Sequence, residues 1–196
     1  TLDSEDAITI ARNAYNALTE DEKAKVENYD VLVAAEKRFD ELKAQSVDEL
    51  IDKIGNVTMG SVSKIEAARS AYDALTDAQK KLVKKYDKLT AAEAKYAEMV
   101  SSIENVKKLI DKIGTVKNDA ATKKRISDAR KAYDKLGGAL KKHVINYNKL
   151  TAAEKKLAQL ENAAKVEELI DAIGEVTKDG EKAVKKARSA YNALTD

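Results

Sequence analysis

The sequence predicts an all-α protein, built as elongated tandem three-helix bundles whose long helices are shared between successive repeats. Three observations lead to this prediction: the composition, an internal repeat, and the helical spacing of apolar residues. The 196 residues include no Pro and only 7 Gly, while 36% of them are charged. Because the strongest helix breaker is absent and good helix formers dominate, nearly the whole chain is expected to be helical.

Three sequence phrases recur in one order along the chain. Ala-Arg-x-Ala-Tyr-x-x-Leu occurs four times, and its Tyr residues lie 57, 61 and 58 positions apart. Val-x-x-Tyr-x-x-Leu-x-x-Ala-Glu occurs three times, always with its Tyr 14 positions after that of the first phrase. Leu-Ile-Asp-x-Ile-Gly-x-Val then completes each repeat. A fixed order at a nearly fixed period identifies a tandem repeat protein. The predicted repeats span 1–55, 56–114, 115–174 and 175–196.

Each repeat is predicted to contain one short and one long helix. Apolar residues recur at helical spacing from Ile8 to Leu18, in the first phrase. A longer apolar stripe starts at Val26, and nothing between Asp21 and Ile54 breaks a helix. This stretch therefore predicts one continuous long helix. The short helices are predicted at Ser63–Leu75 and Thr122–Leu136 in the next two repeats.

A glycine is predicted to end each long helix, because the third phrase closes on Gly in every repeat and a left-handed glycine ends many helices. Thr76 or Asp77 then offers an N-cap for the next helix. The third repeat has Gly137-Gly138 at this place, which predicts a weaker cap and a softer joint. The helix-stopping glycines are Gly55, Gly114 and Gly174.

The helix lengths predict how the repeats pack. At 1.5 Å per residue, the long helix spans roughly 51 Å and the short one roughly 22 Å. A short helix therefore covers only about half of a long one. The most economical packing combines the end of one long helix, a short helix and the start of the next long helix in one bundle. Each long helix then serves two bundles.

Arg is scarce, and its placement is regular: four of the six Arg residues occupy the same position of the first phrase. Arg is preferred over Lys where a planar fork pairs or stacks beside partly buried groups. We therefore expect a structural contact to a carboxylate or carbonyl on a neighbouring helix, with stacking on Tyr. The alternative is a row of Arg residues that binds an anionic ligand. The four residues are Arg12, Arg69, Arg130 and Arg188.

Glu and Tyr also recur at fixed positions. Glu36, Glu93 and Glu154 each follow the Tyr of the second phrase by seven residues, which places them on the apolar stripe. We expect these carboxylates to accept backbone N–H groups at the start of the preceding short helix. Seven of the eight Tyr residues occupy the two repeated positions. Their helical spacing favours core side chains with hydroxyls at the bundle edge over a sugar-stacking surface.

Composition and charge argue against several classes of function. The 36 basic and 34 acidic residues give a net charge of only +2, without the basic excess of a nucleic-acid binder. Cys is absent, and the single His143 matches no repeated position, so no metal or thiol site is predicted. Asp52, Asp111 and Asp171 recur, but one carboxylate per repeat does not make a calcium loop. We expect no enzyme, no cofactor and no membrane insertion, because no phosphate loop, catalytic set or long apolar stretch is present.

The phrases Ala-Arg-Ser-Ala-Tyr-Asp-Ala-Leu-Thr-Asp-Ala-Gln-Lys, Val-Lys-Lys-Tyr-Asp-Lys-Leu-Thr-Ala-Ala-Glu and Leu-Ile-Asp-Lys-Ile-Gly resemble the tandem, spectrin-like helical repeats of large cell-wall-associated surface proteins of Gram-positive bacteria. The resemblance covers essentially the whole chain. It implies an extracellular, wall-attached stalk that projects a neighbouring domain from the cell wall. The alternative is an adhesin-like binding module that recognises a host protein or a wall polymer through a helix face.

The expected partners are neighbouring domains of the same polypeptide, or a protein or polysaccharide ligand under the alternative function. The sequence begins and ends inside a repeat, so the first repeat lacks a preceding long helix and the last lacks a following one. We expect these uncovered faces to promote end-to-end association at high concentration.

Overall fold

The computed structural model describes residues 1–176 and 180–194, and every regular element within these ranges is a helix. The predicted all-α class is confirmed for this part of the chain. No helix described there is apolar over a length that would cross a membrane. The described α-helices are α1 Glu5–Asn16, α2 Glu20–Lys23, α3 Tyr29–Ile54, α4 Val62–Asp73, α5 Asp77–Lys80, α6 Tyr86–Asp111, α7 Ala120–Lys135, α8 Gly138–Lys141, α9 Tyr147–Asp171 and α10 Glu181–Asn192.

The long helices are shorter than the sequence suggested. α2 and α3 are separate helices, so the prediction of one helix from Asp21 to Ile54 is wrong. The same break separates α5 from α6 in the second repeat. There the Asp48 carboxylate, on α3, accepts hydrogen bonds from the backbone N–H groups of Lys84 and Lys85. A side chain from a neighbouring helix thus stabilises the break, which apolar spacing along one helix does not reveal.

Threonine caps the first two of the four-residue helices. The hydroxyls of Thr19 and Thr76 accept hydrogen bonds from the backbone N–H of Glu22 and Gln79, whose side chains accept the Thr N–H in return. Such caps contribute about 1 kcal/mol of stability. Gly137 occupies the same position before α8 and makes no side-chain cap, which confirms the weaker cap predicted in the third repeat.

Positive φ angles mark the glycines at which the sequence predicts helix ends. The angles are 61°, 65° and 57° at Gly55, Gly114 and Gly174. Gly55 follows α3 directly and has a ψ of −140°, which lies in the mirror-image extended region rather than in the left-handed helical region that was predicted. This region is essentially restricted to glycine, because a Cβ would clash with the backbone.

Two compact units make up the structure, Thr1–Glu98 and Met99–Asp196, and the division falls inside α6. The repeat boundaries proposed from the sequence stay a prediction, since the division into units reflects packing rather than sequence similarity. In the first unit, α3 packs against α1, α4 and α5. The main core cluster of that unit consists of Val47, Ile51, Ile54, Ile65, Ala68, Leu75, Leu89 and Ala92.

The second unit buries the equivalent apolar positions of the next repeat. In it α9 packs against α7 and α10. Thr122, on α7, is a polar residue that is fully buried. The buried apolar residues of this unit include Ile103, Val106, Ile110, Ile113, Ile126, Ala129, Leu136, Val144, Leu150, Ala153, Val166 and Ala187.

Candidate functional site: repeated polar clusters and an open groove

An arginine and a glutamate form the same bidentate pair in three successive repeats. In the first, Nε and Nη2 of Arg12 on α1 each donate to one carboxylate oxygen of Glu36 on α3, both at 2.5 Å. Fork-to-fork pairing of this kind gives the strong geometric preference that distinguishes Arg from Lys. The structure therefore brings together two of the residue types that the sequence singled out. The other pairs, at 2.6–2.7 Å, are Arg69 with Glu93 and Arg130 with Glu154.

Each pair is flanked by two stacked tyrosines. The rings of Tyr15 and Tyr29 lie 4.1 Å apart between centroids, at an interplanar angle of 17°. The guanidinium carbon of Arg12 lies 5.6 Å and 5.3 Å from the two ring centroids, within the range of cation–π attraction. Nη1 of Arg12 also donates to the Tyr29 hydroxyl at 3.2 Å. The matching stacks are Tyr72 with Tyr86 at 4.4 Å and Tyr133 with Tyr147 at 4.2 Å.

The three glutamates do not cap the short helices, so that prediction is wrong. The prediction failed because it missed the helix break. Counting along one unbroken long helix placed each carboxylate too close to the start of the short helix. The charged fork of Arg12 lowers the pKa of Glu36, and the carboxylate raises the pKa of Arg12 in return. The guanidinium group of Arg12 is thus held charged and paired within the chain, as are those of Arg69 and Arg130.

Arg188 stands in a different setting from the other three. Its guanidinium carbon lies 5.9 Å from the ring centroid of Tyr191. The position 24 residues later, where the other repeats carry Glu, lies beyond residue 196. The structure therefore engages three of the four predicted arginines with carboxylates and places the fourth against a tyrosine ring.

The repeated tyrosines lie at the edge of the core rather than inside it, and Tyr72 packs against the core cluster while partly buried. They are half-buried or exposed, and Tyr86 is 36% exposed. Small and aliphatic side chains such as Ala68 and Leu89 fill the core instead. The tyrosines pack on each other and on Arg at the surface of the helix pair, because stacking lets the ring faces leave water while the hydroxyls stay at the edge.

Sequence reasoning missed a second set of polar contacts, between the end of one long helix and the start of the next. Asp48 is 8% exposed and accepts from the backbone N–H of Lys85 at 2.8 Å. Asp52, one turn later, pairs with the Nζ atoms of Lys85 and Lys88. These lysines lower the pKa of Asp52, with Lys85 contributing most. The sequence signal was an acidic residue, Asp48, next to Val47 on the apolar stripe.

The second unit uses a variant of this contact. Asn146 replaces Lys85 before the Tyr of the second phrase, and its side-chain nitrogen donates to the backbone oxygen of Lys107 at 3.0 Å. Asp111 pairs with Lys149 at 2.8 Å, and this contact lowers the pKa of Asp111. The Asp–Lys pair thus recurs at equivalent positions, as Asp52–Lys88 and Asp111–Lys149. The contact to the residue before the Tyr, by contrast, uses different polar groups in the two units.

An apolar groove lies between α1 and the first half of α3, with a volume of about 480 Å³. Five of its twelve lining side chains match residues that are buried in the second repeat. Ala11 is exposed in the groove, whereas its counterpart Ala68 is fully buried. Leu32 is half-buried, whereas Leu89 is fully buried. The groove is lined by Ala7, Ile8, Ala11, Ala14, Tyr15, Leu18, Val26, Asn28, Tyr29, Val31, Leu32 and Ala35.

Within the described residues, no three His, Asp or Glu side chains come together in an arrangement that could hold a metal ion. His143 is half-buried and stands outside the repeated clusters. Asp52 and Asp111 belong to the lysine pairs, and Asp171 is exposed at the end of α9. The arrangement presents helix faces and fixed ion pairs, and the absence of an enzyme activity and of a cofactor stays a prediction.

Comparisons with protein-family models, with curated proteins and with solved structures found no match for this chain. The molecule itself therefore defines its class: an all-helical protein over the described residues, with an internal repeat whose polar clusters recur in the same geometry.

Proposed function

We propose that this chain is a non-catalytic stalk or spacer segment of a large extracellular protein on the wall of Gram-positive bacteria, where it projects a neighbouring domain from the cell. One observation carries the proposal: α3 uses its two halves in two different helix groups. The first half pairs with α1 through Arg12 and Glu36. The second half contributes Val47 and Ile51 to a core with α4 and α6.

A helix with two such roles is what an array of shared-helix, spectrin-like three-helix bundles requires. The end of α3, the short α4 and the start of α6 form one such bundle in this proposal. Repeating this unit adds length with the same set of contacts each time, as in other repeat proteins. The wall-attached, extracellular location is supported by the sequence resemblance, and the neighbouring partners are then other domains of the same polypeptide.

Small-angle X-ray scattering on the dilute chain tests the spacer function. A compact protein of this length has a radius of gyration of about 16 Å. With the observed 26-residue α3, which is about 39 Å long, a rod in which each repeat advances by half a long helix is roughly 65 Å long, with a radius of gyration of about 20 Å. The larger value supports the spacer. A value near 16 Å contradicts it, because a chain folded back on itself projects nothing.

A binding module is the second candidate function, and the apolar groove beside α1 favours it. Ala11 and Val31, which line the groove, are exposed. An exposed apolar surface on a folded protein commonly marks an interaction site. A protein or polysaccharide ligand that bound elsewhere on the chain would leave this groove open, whereas occupation of the groove would protect α1 from hydrogen exchange.

A further inference from the structure

We infer that the groove between α1 and the first half of α3 binds one amphipathic helix, and that it selects a helix with the chemistry of the second half of α6. In the second half of α6, the apolar face consists of Val106, Ile110 and, just after the helix end, Ile113, and Lys107 lies next to Val106 in the sequence. The partner helix is expected to carry the same residue types at the same spacing. This inference rests on the proposed repeat packing and extends it by defining the partner.

The second repeat shows how the same groove is filled. There Ile65, Ala68 and Leu89 correspond to Ile8, Ala11 and Leu32, and they form one core cluster with Val47 and Ile51 of the preceding long helix. All five are at most 6% exposed. The apolar part of the groove therefore fits a helix with Val and Ile at this spacing, and burial of such surface drives its docking.

Charged residues at the rim of the filled groove make it selective. In the second repeat, Lys84, Lys85 and Lys88 stand at the start of the long helix. The incoming helix meets them with Asp48, which accepts from two backbone N–H groups, and with Asp52, which pairs with two lysine side chains. Basic residues on the groove and acidic residues on the helix match each other at this junction.

The open groove carries no lysine at these three positions. Their counterparts are Glu27, Asn28 and Val31, all of them exposed. A docked helix with the acids of α3 would bring Asp48 next to Glu27. Its Asp52 would meet no lysine, just as Asp111 of α6 would meet none, so the position of Asp48 alone distinguishes the two helices. Like charges in contact oppose association, so a helix of the α3 type is a poor partner here.

The helix α6 differs at the decisive position. It has Lys107 where α3 has Asp48. At the next junction the backbone oxygen of Lys107 accepts a hydrogen bond from Asn146, and Asn146 corresponds in the repeat to Asn28 of the open groove. A lysine would face Glu27 favourably. The end of α9 carries Glu167 at this position, so the equivalent helix of a second copy of this chain is disfavoured.

Fluorescence anisotropy with three labelled peptides and the full chain tests this selection. The peptides are residues 99–116, 40–57 and 159–176, which align on their glycines and carry Lys107, Asp48 and Glu167 in turn. We expect saturable binding of all three, with peptide 99–116 bound about fivefold more tightly. Exchanging repulsion for attraction at an exposed charge pair changes the binding free energy by about 1 kcal/mol, which corresponds to this factor.

Two variants of the full chain provide matched controls. Ala11→Lys fills the groove at a position that is exposed in the structure, so the chain should keep its helical circular dichroism and lose more than tenfold in affinity for every peptide. Glu27→Lys restores a basic rim and should reverse the order, so that peptide 40–57 binds more tightly than peptide 99–116.

Three results would overturn the inference. The first is no saturable binding of peptide 99–116, and the second is equal binding to the Ala11→Lys chain. The third is tightest binding of peptide 159–176, which would make a second copy the occupant and would appear as self-association in sedimentation. The spacer function fails separately, through a compact radius of gyration of the free chain, whatever the peptides do.

Discussion

The helix pairs α1–α3 and α4–α6 carry the same apolar pattern but differ in what covers it. Ala68, between α4 and its neighbours, is fully buried, while the equivalent Ala11 of α1 is exposed. Both residues are alanine, so the difference in exposure comes from a third helix. The second half of α3 covers the pair α4–α6, and no described helix covers the pair α1–α3 in the same way. A single repeat cannot bury its apolar face alone, and the stability of each site depends on its neighbour.

The sharpest test of this comparison removes the same leucine side chain on both sides. Leu89→Ala should lower the free energy of unfolding by about 4 kcal/mol, because Leu89 is fully buried and the substitution leaves a cavity. Leu32→Ala, at the matching half-buried position, should cost less than about 1 kcal/mol. Urea denaturation followed by circular dichroism measures both. Equal losses would mean that the two grooves are covered to the same extent.

The buried carboxylate at the covered junction should have the next largest effect. Asp48→Ala leaves the backbone N–H groups of Lys84 and Lys85 without their acceptor and should cost about 2 kcal/mol. Glu167→Ala is the matched control, since Glu167 occupies the same position of α9 and is exposed. Thermal unfolding should show a lower melting temperature for the first variant alone. A similar shift for both would show that Asp48 acts only through helix propensity.

Exchanging the repeated arginine for lysine should have a smaller effect. Arg69→Lys keeps the charge but loses the bidentate contact to Glu93 and the stacking on Tyr72, at a cost of roughly 1 kcal/mol. Arg12→Lys should lower stability in the same direction, because its pair with Glu36 has the same geometry in the uncovered region. If only Arg69→Lys lowers the melting temperature, the Arg–Glu pair stabilises the fold only where a third helix covers it.

The smallest effect concerns pH. Lys85 and Lys88 lower the pKa of Asp52 in the folded chain, so this carboxylate stabilises the fold above about pH 4 and loses that contribution as the pH falls through its folded-state pKa. Asp52→Asn should therefore reduce the loss of melting temperature between neutral and acidic pH. Salt at 1 M screens exposed pairs and should shrink the difference between the two chains. An unchanged acid slope at low salt would show that the lysine pairs do not contribute.

The repeat, the helical class and the glycines at the helix ends could be predicted because each depends on residues close together in sequence. Apolar spacing identified the faces that pack, and the regular position of Arg12 pointed to a contact on the neighbouring helix. These are properties of single helices and of a pattern that occurs several times. Each of these features depends on residues that are close together in the chain, so a single sequence was sufficient to predict them.

The missed features depend on contacts between distant segments. The break before Tyr86 receives hydrogen bonds from Asp48, which lies 36 and 37 residues before the two donors. The same break precedes Tyr29, and apolar spacing along the helix reveals neither of them. Because the break was missed, the predicted alignment of α3 against α1 was shifted. Glu36 was therefore assigned to a helix cap instead of to a contact with Arg12. The tyrosines were assigned to the core because helical spacing does not distinguish a buried stripe from a stacked pair at its edge.

The double role of α3 has a consequence for how such a chain melts. A helix that belongs to two groups couples their unfolding, so an array of these repeats behaves as a one-dimensional lattice with nearest-neighbour interactions. Each added repeat adds one more junction, and denaturation becomes sharper as the array lengthens. Fraying starts where a helix has few neighbours, as is the case for α1 with the first half of α3 in the described part of the chain. Their amide hydrogens should exchange before those of α4, which has a long helix on either side.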